Sequence, residues 1–339
     1  MKNLVSKFIL LLIFFFIVSC GNSKKENDIL KTVEPKLDSI KKTNTTTLDT
    51  TDYNKRMLAL SNYDASGKWP VKGPYPLKSA TLPYNRIIAF YGNLYSKRMG
   101  ILGELPKEQM LLQLKSEVLK WSLADSTLHT IPALHYIAIT AQSKGGRNKT
   151  HNLHMPFKQI DTILSWAKSI NAIVFLDIQV GHGDILTETK TLDKYLALPN
   201  VHLAIDPEFS MKNGKVPGTE IGTFSADDIN NVTNHLINLV AKNNIPPKIF
   251  LIHRFSQRMI TDYKSIKKVP EVQLVINMDG FGNKALKKSA YHDFIYKEPI
   301  QFAGFKLFYK NDTKKNPNGL LTPNEILKLK PIPIYIQYQ

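Results

Sequence analysis

Eight short runs rich in β-branched and aromatic residues recur from residue 86 to the last residue, and segments of helical periodicity separate them. The runs are 86–91 (RIIAFY), 131–138 (IPALHYIA), 172–179 (AIVFLDIQ), 201–208 (VHLAIDPE), 248–254 (KIFLIHR), 272–279 (VQLVINMD), 301–309 (QFAGFKLFY) and 333–339 (PIYIQYQ). The clearest helical stretches are 107–121, 157–170 and 225–242, with weaker ones at 192–197, 262–268, 283–294 and 322–329. Ser225 followed by Asp227 and Asp228 reads as an N-cap with acids in the first turn. Strands that are apolar nearly throughout belong to parallel sheets covered on both faces, and strict β/α alternation builds such sheets. Eight repeats of about 31 residues match a closed barrel of about 250 residues. The expected fold is therefore α/β: a single (β/α)8 TIM-like barrel over 65–339 with its final helix missing. The segment 63–82 is expected to cover the resulting gap, and an open doubly wound sheet is the alternative.

In a barrel of this kind the site forms at the C-terminal strand ends. Those ends carry Tyr91, His135, Asp177 with Gln179, Asp206 with Glu208, His253 with Arg254, Asp279, Lys306 with Tyr309, and Gln337. Turns can be wetted by loop residues, so ionisable tips on nearly every apolar stem point to a site. In "HLAIDPEF", side chains two apart on a strand share a face, which would set Asp206 and Glu208 about 6.6 Å apart along the backbone. Carboxyl groups crowded at one mouth cannot all ionise cheaply, so one pKa rises. A protonated acid beside an ionised partner suits glycosidic cleavage. Glu208 is the expected acid/base, with Asp206 or Asp177 as nucleophile or stabiliser. Tyr91, His135, Gln179, His253, Arg254, Asp279, Lys306, Tyr309 and Gln337 are expected to bind substrate. Tyr91, Tyr136, Trp166, Phe209 and Tyr309 are the aromatic candidates for sugar stacking, although Trp166 sits at helical core spacing.

Two other readings stand. The same carboxylates could hold Mg2+ or Ca2+, and His135, Asp177 and His253 could form a metal set of two histidines and a carboxylate, though no HxH or HExxH spacing appears. A divalent cation apart, no cofactor is expected. The third reading is a binding module for an envelope polymer. Basic loops at 141–154 and 210–224 are the expected walls.

At the other end of the chain, Lys2 and Lys7 precede an unbroken apolar run, 8–18, and the chain's single cysteine follows at Cys20. Eleven residues rise about 16 Å as a helix, short of a bilayer core of about 30 Å, which fits a secretory signal better than a span. Ile17-Val18-Ser19-Cys20 resembles the lipobox of bacterial lipoproteins. The resemblance implies a signal peptide at 1–19, lipidation of Cys20 and, with Gly21 next, anchoring to the outer membrane. Residues 20–64, rich in Lys, Thr, Asn and Asp, read as a flexible tether. One cysteine allows no intrachain disulfide. The formal charge of +17 favours polyanions. An anionic glycan or the bilayer is the expected partner; no nucleic-acid motif appears, and a monomer is expected.

The body is similar to a family of uncharacterised secreted or lipid-anchored bacterial proteins. The shared pieces are "YGN…GILGE", "FLD-Q-G", "HL-IDPEF", "IHRF", "MDGFG", "GFKLFY" and "IYIQYQ", spanning about 86–339. The resemblance implies no particular activity, so the site residues rest on the physical reading.

Overall fold

In a computed structural model of the protein, residues 48–146, 148–314 and 319–339 are described. The expected signal peptide, Cys20 and the tether up to residue 47 lie outside them. Eight strands form the centre: β1 Asn85–Gly92, β2 His129–Ala141, β3 Ile173–Ile178, β4 Val201–Ile205, β5 Lys248–Arg254, β6 Val272–Met278, β7 Phe302–Leu307 and β8 Tyr335–Tyr338. Each is parallel to the next, and β8 pairs back onto β1 from Ile87 opposite Tyr335 to Phe90 opposite Tyr338. That last pairing closes the ring and rules out the open sheet. A short strand, Asn152–His154, adds antiparallel to the end of β2.

Alternation along each strand makes two cores. Ile88, Phe90, Leu134, Leu176, Leu203, Ile252 and Ile276 point outward beneath the helices. Ile87, Ala89, Ala133, Phe175, Ala204, Leu251, Val275 and Tyr335 fill the inside. The small residues among the second set leave space for the Phe175 and Tyr335 rings, which meet edge-on at 5.2 Å.

The floor of the barrel corrects one expectation. Residues 50–60, assigned to the tether, form helix α1 (Thr50–Leu60), capped by the Asp49 side chain accepting from the Thr51 and Asp52 N–H groups. Its Tyr53, Met57 and Leu60 are buried in the inner core with Leu82, Leu128 and Ile334. The helix buries only this i, i+4, i+7 stripe and leaves Leu58 and Ala59 exposed, and it follows a Lys/Thr/Asn/Asp-rich stretch, so composition hid it. The helix belongs to the same compact unit as the barrel, Thr47–Gln339.

The segment 63–82 covers the gap only in part: Trp69 is buried in the outer core, its indole donating to the Tyr296 carbonyl at 3.1 Å. Leu77 donates to the Pro270 carbonyl, and the Gln273 side chain brackets Leu82, accepting from its N–H at 3.1 Å and donating to its carbonyl at 2.6 Å. These are contacts at the N-terminal ends of the strands. Outer residue Tyr338 of β8 is instead covered by helix α2 (Lys107–Ala124), whose Trp121 indole donates to the Tyr338 hydroxyl at 3.0 Å.

One buried charge at this end predicts a pH effect. Lys248, fully buried, donates to the Leu198 and Val201 carbonyls. Burial lowers its pKa to about 7, whereas the unfolded chain holds that proton to about 10.4. Between those values the unfolded state binds more protons, so stability rises with pH and is lost as pH falls toward 7. Lys248→Met is expected to flatten this stretch of the Tm–pH curve; parallel curves for both proteins would contradict it.

Candidate active site

A cavity of about 500 Å3 opens at the C-terminal mouth of the barrel. Tyr91, Gln179, Asp206, Glu208, Asp279 and Lys306 line it, with Arg98, Phe209, Phe255, Phe281 and Phe308 among its walls. The strand ends thus bring six of the expected site residues to one place. Strand β4 stops at Ile205, and Asp206 turns out of the sheet to cap the 3-10 turn Pro207–Phe209, its Oδ1 accepting from the Glu208 N–H at 3.1 Å. Glu208 is therefore carried to the rim by a turn rather than sharing a strand face with Asp206, as simple alternation implied. It is half-buried, while Asp206 is 3% exposed. Asp279 follows β6, and Lys306 of β7 sets its ammonium 3.9 Å from Asp279 Oδ2 and 3.8 Å from the centre of the Tyr91 ring.

Beneath this cavity lies a closed polar layer. His135 Nε2 and His253 Nε2 each stand 3.2 Å from Asp177 Oδ2, and His253 Nδ1 stands 3.0 Å from Asp279 Oδ2. His135 Nδ1 meets the Tyr335 hydroxyl at 2.6 Å, and Gln337 donates to that hydroxyl at 3.1 Å while accepting from Asn277 at 3.3 Å. Asn277 reaches across because β7 has Gly304 opposite: a Cβ there would sit 2.7 Å from the Asn277 amide oxygen. His135, Asp177, His253, Asn277 and Gln337 are all inaccessible to solvent.

Burial pushes the Asp206 carboxyl well up, with the Asp279 and Glu208 charges adding to the shift and His253 opposing it. Glu208 is raised by burial and by Asp279, with Lys306 and His253 pulling against them. Asp177 goes the other way. Burial opposes its ionisation, but the two histidines outweigh burial and hold it below the usual carboxylate range. Burial lowers His135 to about 4, only partly offset by Asp177; His253, between Asp177 and Asp279, is raised to about 10 despite its burial. The mouth thus holds two carboxyls with raised pKa values beside a third, Asp279, that faces cations.

Several expectations need correction. Asp177 is sealed under the cavity, so it cannot act as nucleophile on a bound substrate. His135, His253 and Gln337 belong to the same buried layer and do not reach substrate directly. Arg254, one residue after inward-facing His253, must face outward; its guanidinium pairs with Glu298 and donates to the Phe294 and Gln257 carbonyls. Tyr309 stacks on Tyr338 at 5.2 Å on the outer face, and Tyr136 bonds to Gln159 there. Neither can stack on a sugar in the mouth. Trp166 packs against the outer core. Arg98, Phe255 and Phe281 escaped the sequence reading because they lie on or next to loops, where no periodicity marks a direction, whereas Phe308 was legible two residues after Lys306. Asn277 and Tyr335 were legible, each two residues before a residue already singled out, Asp279 and Gln337.

The buried layer predicts a stability effect. Asp177→Ala removes the carboxylate between two sealed imidazoles, and breaking such a pair costs about 3–5 kcal/mol. Urea unfolding of both proteins measures this, and a loss below about 1 kcal/mol, the ceiling for a solvent-exposed pair, would contradict it.

No protein-family model matches the chain, and no curated protein matches it. Among solved structures, the YdhT protein of Bacillus subtilis is similar over 87% of this chain and 87% of its own, at 12% identity and a TM-score of 0.40. The Bacillus subtilis mannanase man26 is similar over 66% of this chain and 74% of its own, at 12% identity and a TM-score of 0.36. The cellulose synthase subunit Z of Clostridioides difficile is similar over 76% of this chain and 91% of its own, at 11% identity and a TM-score of 0.37. Likenesses this distant carry no argument about this chain, and its site is read from its own residues.

Proposed function

We propose that this protein hydrolyses glycosidic bonds of an envelope or extracellular glycan, held at the outer membrane by an acylated Cys20. The observation that supports the catalytic reading best is the convergence of Asp206, Glu208 and Asp279 on one open cavity. Two of them are held toward the protonated form. Asp206 and Asp279 follow strands on either side of β5, about 10 Å apart backbone to backbone at two inter-strand spacings, and both line the cavity. Glu208, at the rim, donates its proton to the glycosidic oxygen as the bond to the anomeric carbon breaks. Asp279, oriented by His253 and Lys306, meets the anomeric carbon directly or takes the proton of the attacking water. Asp206, shielded and protonated, donates to a sugar hydroxyl, and the phenylalanines of the walls supply ring faces. Lys306 and Arg98 in the cavity favour an anionic glycan.

The lipoprotein part of this reading rests on the lipobox-like 17–20, the single cysteine and the short apolar run. It makes the bilayer a partner through the acyl chains. The test is incubation of the purified protein with a panel of neutral and acidic polysaccharides, with released reducing ends quantified and products sized. Release from at least one glycan is expected. Saturable binding with no product from any glycan would instead identify a binding module and overturn the proposal.

A further inference from the structure

The layer beneath the cavity has a property that an ordinary ion-pair network lacks. His135 Nε2 and His253 Nε2 approach the same Asp177 oxygen to 3.2 Å. Yet neither nitrogen, nor either oxygen of Asp177, has an aligned hydrogen-bond partner, and all are sealed from solvent. Buried polar atoms are almost always paired, and an unpaired carboxylate is the costliest kind. Three of them, His135 Nε2, His253 Nε2 and Asp177 Oδ2, meet at one point and call for a common partner.

Their spacing specifies it. Donor atoms of the three residues lie within 4.8 Å of one another. A tetrahedral cation with bonds of about 2.0–2.1 Å sets its donor atoms about 3.3 Å apart, close to the separations seen. The far nitrogen of each imidazole is engaged as well, His135 Nδ1 by the Tyr335 hydroxyl at 2.6 Å and His253 Nδ1 by Asp279 at 3.0 Å. That is the outer-shell arrangement which fixes the tautomer of a metal-binding histidine.

We infer that His135 Nε2, His253 Nε2 and the Asp177 carboxylate bind a divalent cation of the zinc class, with Tyr335 and Asp279 orienting the two imidazoles. Two nitrogens and a carboxylate suit zinc and its transition-metal neighbours better than Mg2+ or Ca2+, which take oxygen shells. With the ion bound both imidazoles are neutral ligands, and the doubly charged ion takes over from imidazolium the balancing of Asp177 in a dry layer. Because the ligands come from β2, β3 and β5 and solvent does not reach them, the ion ties strands together and holds Asp279 in place through His253. The site does not depend on the glycan reading, and its test needs no substrate.

The purified full chain, kept free of chelators and dialysed, is assayed for metal by mass spectrometry and titrated with Zn2+ while its Tm is followed. About one equivalent of zinc per chain is expected, with a Tm that rises with Zn2+. His135→Gln is expected to lose both the bound ion and the Tm response. Should that variant fail to fold, Co2+ loaded into the wild type decides, since a four-coordinate nitrogen–oxygen site gives intense visible absorption. A wild type that takes up no stoichiometric Zn2+ and shows no Tm change overturns the inference. So does uptake that persists in His135→Gln, which would place the ion elsewhere, for example at the pair of half-exposed His154 and buried Glu188, or Co2+ loading without those bands.

Discussion

Glu208→Gln is expected to lower kcat for glycan hydrolysis by about 10²–10⁴-fold, the usual contribution of a positioned general acid, while KM stays within a few-fold. The amide keeps the shape of the rim and the Asp206 contact to the backbone of residue 208, but it has no proton to give the leaving oxygen. The pH profile carries a second signature. Glu208 must be protonated to act, and its pKa is raised by burial and by Asp279, so activity is present below that raised value and falls as pH climbs through it. Glu208→Gln removes this descending limb along with the rate. Unchanged kcat, or a limb that survives the substitution, would take the acid role from Glu208.

Removing residues 1–62 is expected to destabilise the barrel by about 4–9 kcal/mol, from three buried apolar side chains at about 1.5–3 kcal/mol each. Tyr53, Met57 and Leu60 seal the inner core from below, and without them Leu82, Leu128 and Ile334 meet water. A loss of that size approaches the whole stability of an ordinary domain. The chain without residues 1–46, reduced to the compact unit that begins at Thr47, is the reference for that loss. Urea unfolding of the two truncations separates the cases; equal stability would mean that α1 is dispensable and that the barrel seals itself.

Much of the barrel could be read from sequence because its strands are buried on both faces and therefore apolar from end to end, as in "AIVFLDI". The long helices were legible for a related reason: α2 and the helix Ala226–Asn243 need one continuous apolar stripe, and the second also shows its Ser225 capping box. Helix α1 was missed because it buries only three side chains in eleven residues, and its first half, "TTDYNKR", continues the polar composition of the stretch before it. Within the site, period-2 alternation explains the successes and the errors together. It placed Lys306 inside and should have placed Arg254 outside, since His253 beside it faces in. It failed at Glu208, because Pro207 ends the strand and a turn has no period. It also could not give depth: Asp177 and Asp206 both end strands and both face inward, yet one lies sealed under the other's cavity. Depth depends on how neighbouring strands stagger around the ring, which no single strand records. The wall residues Arg98, Phe255 and Phe281 depend on loop paths and were out of reach for the same kind of reason.

The most direct test of a glycan-cleaving mouth is a crystal structure of the Glu208→Gln protein soaked with the best oligosaccharide from the hydrolysis panel. The expected result is a chain lying across the C-terminal cavity, its scissile oxygen about 3 Å from the amide of residue 208 and the anomeric carbon facing Asp279. An oligosaccharide bound away from that cavity, or lying in it with no glycosidic oxygen within reach of residue 208, would contradict it.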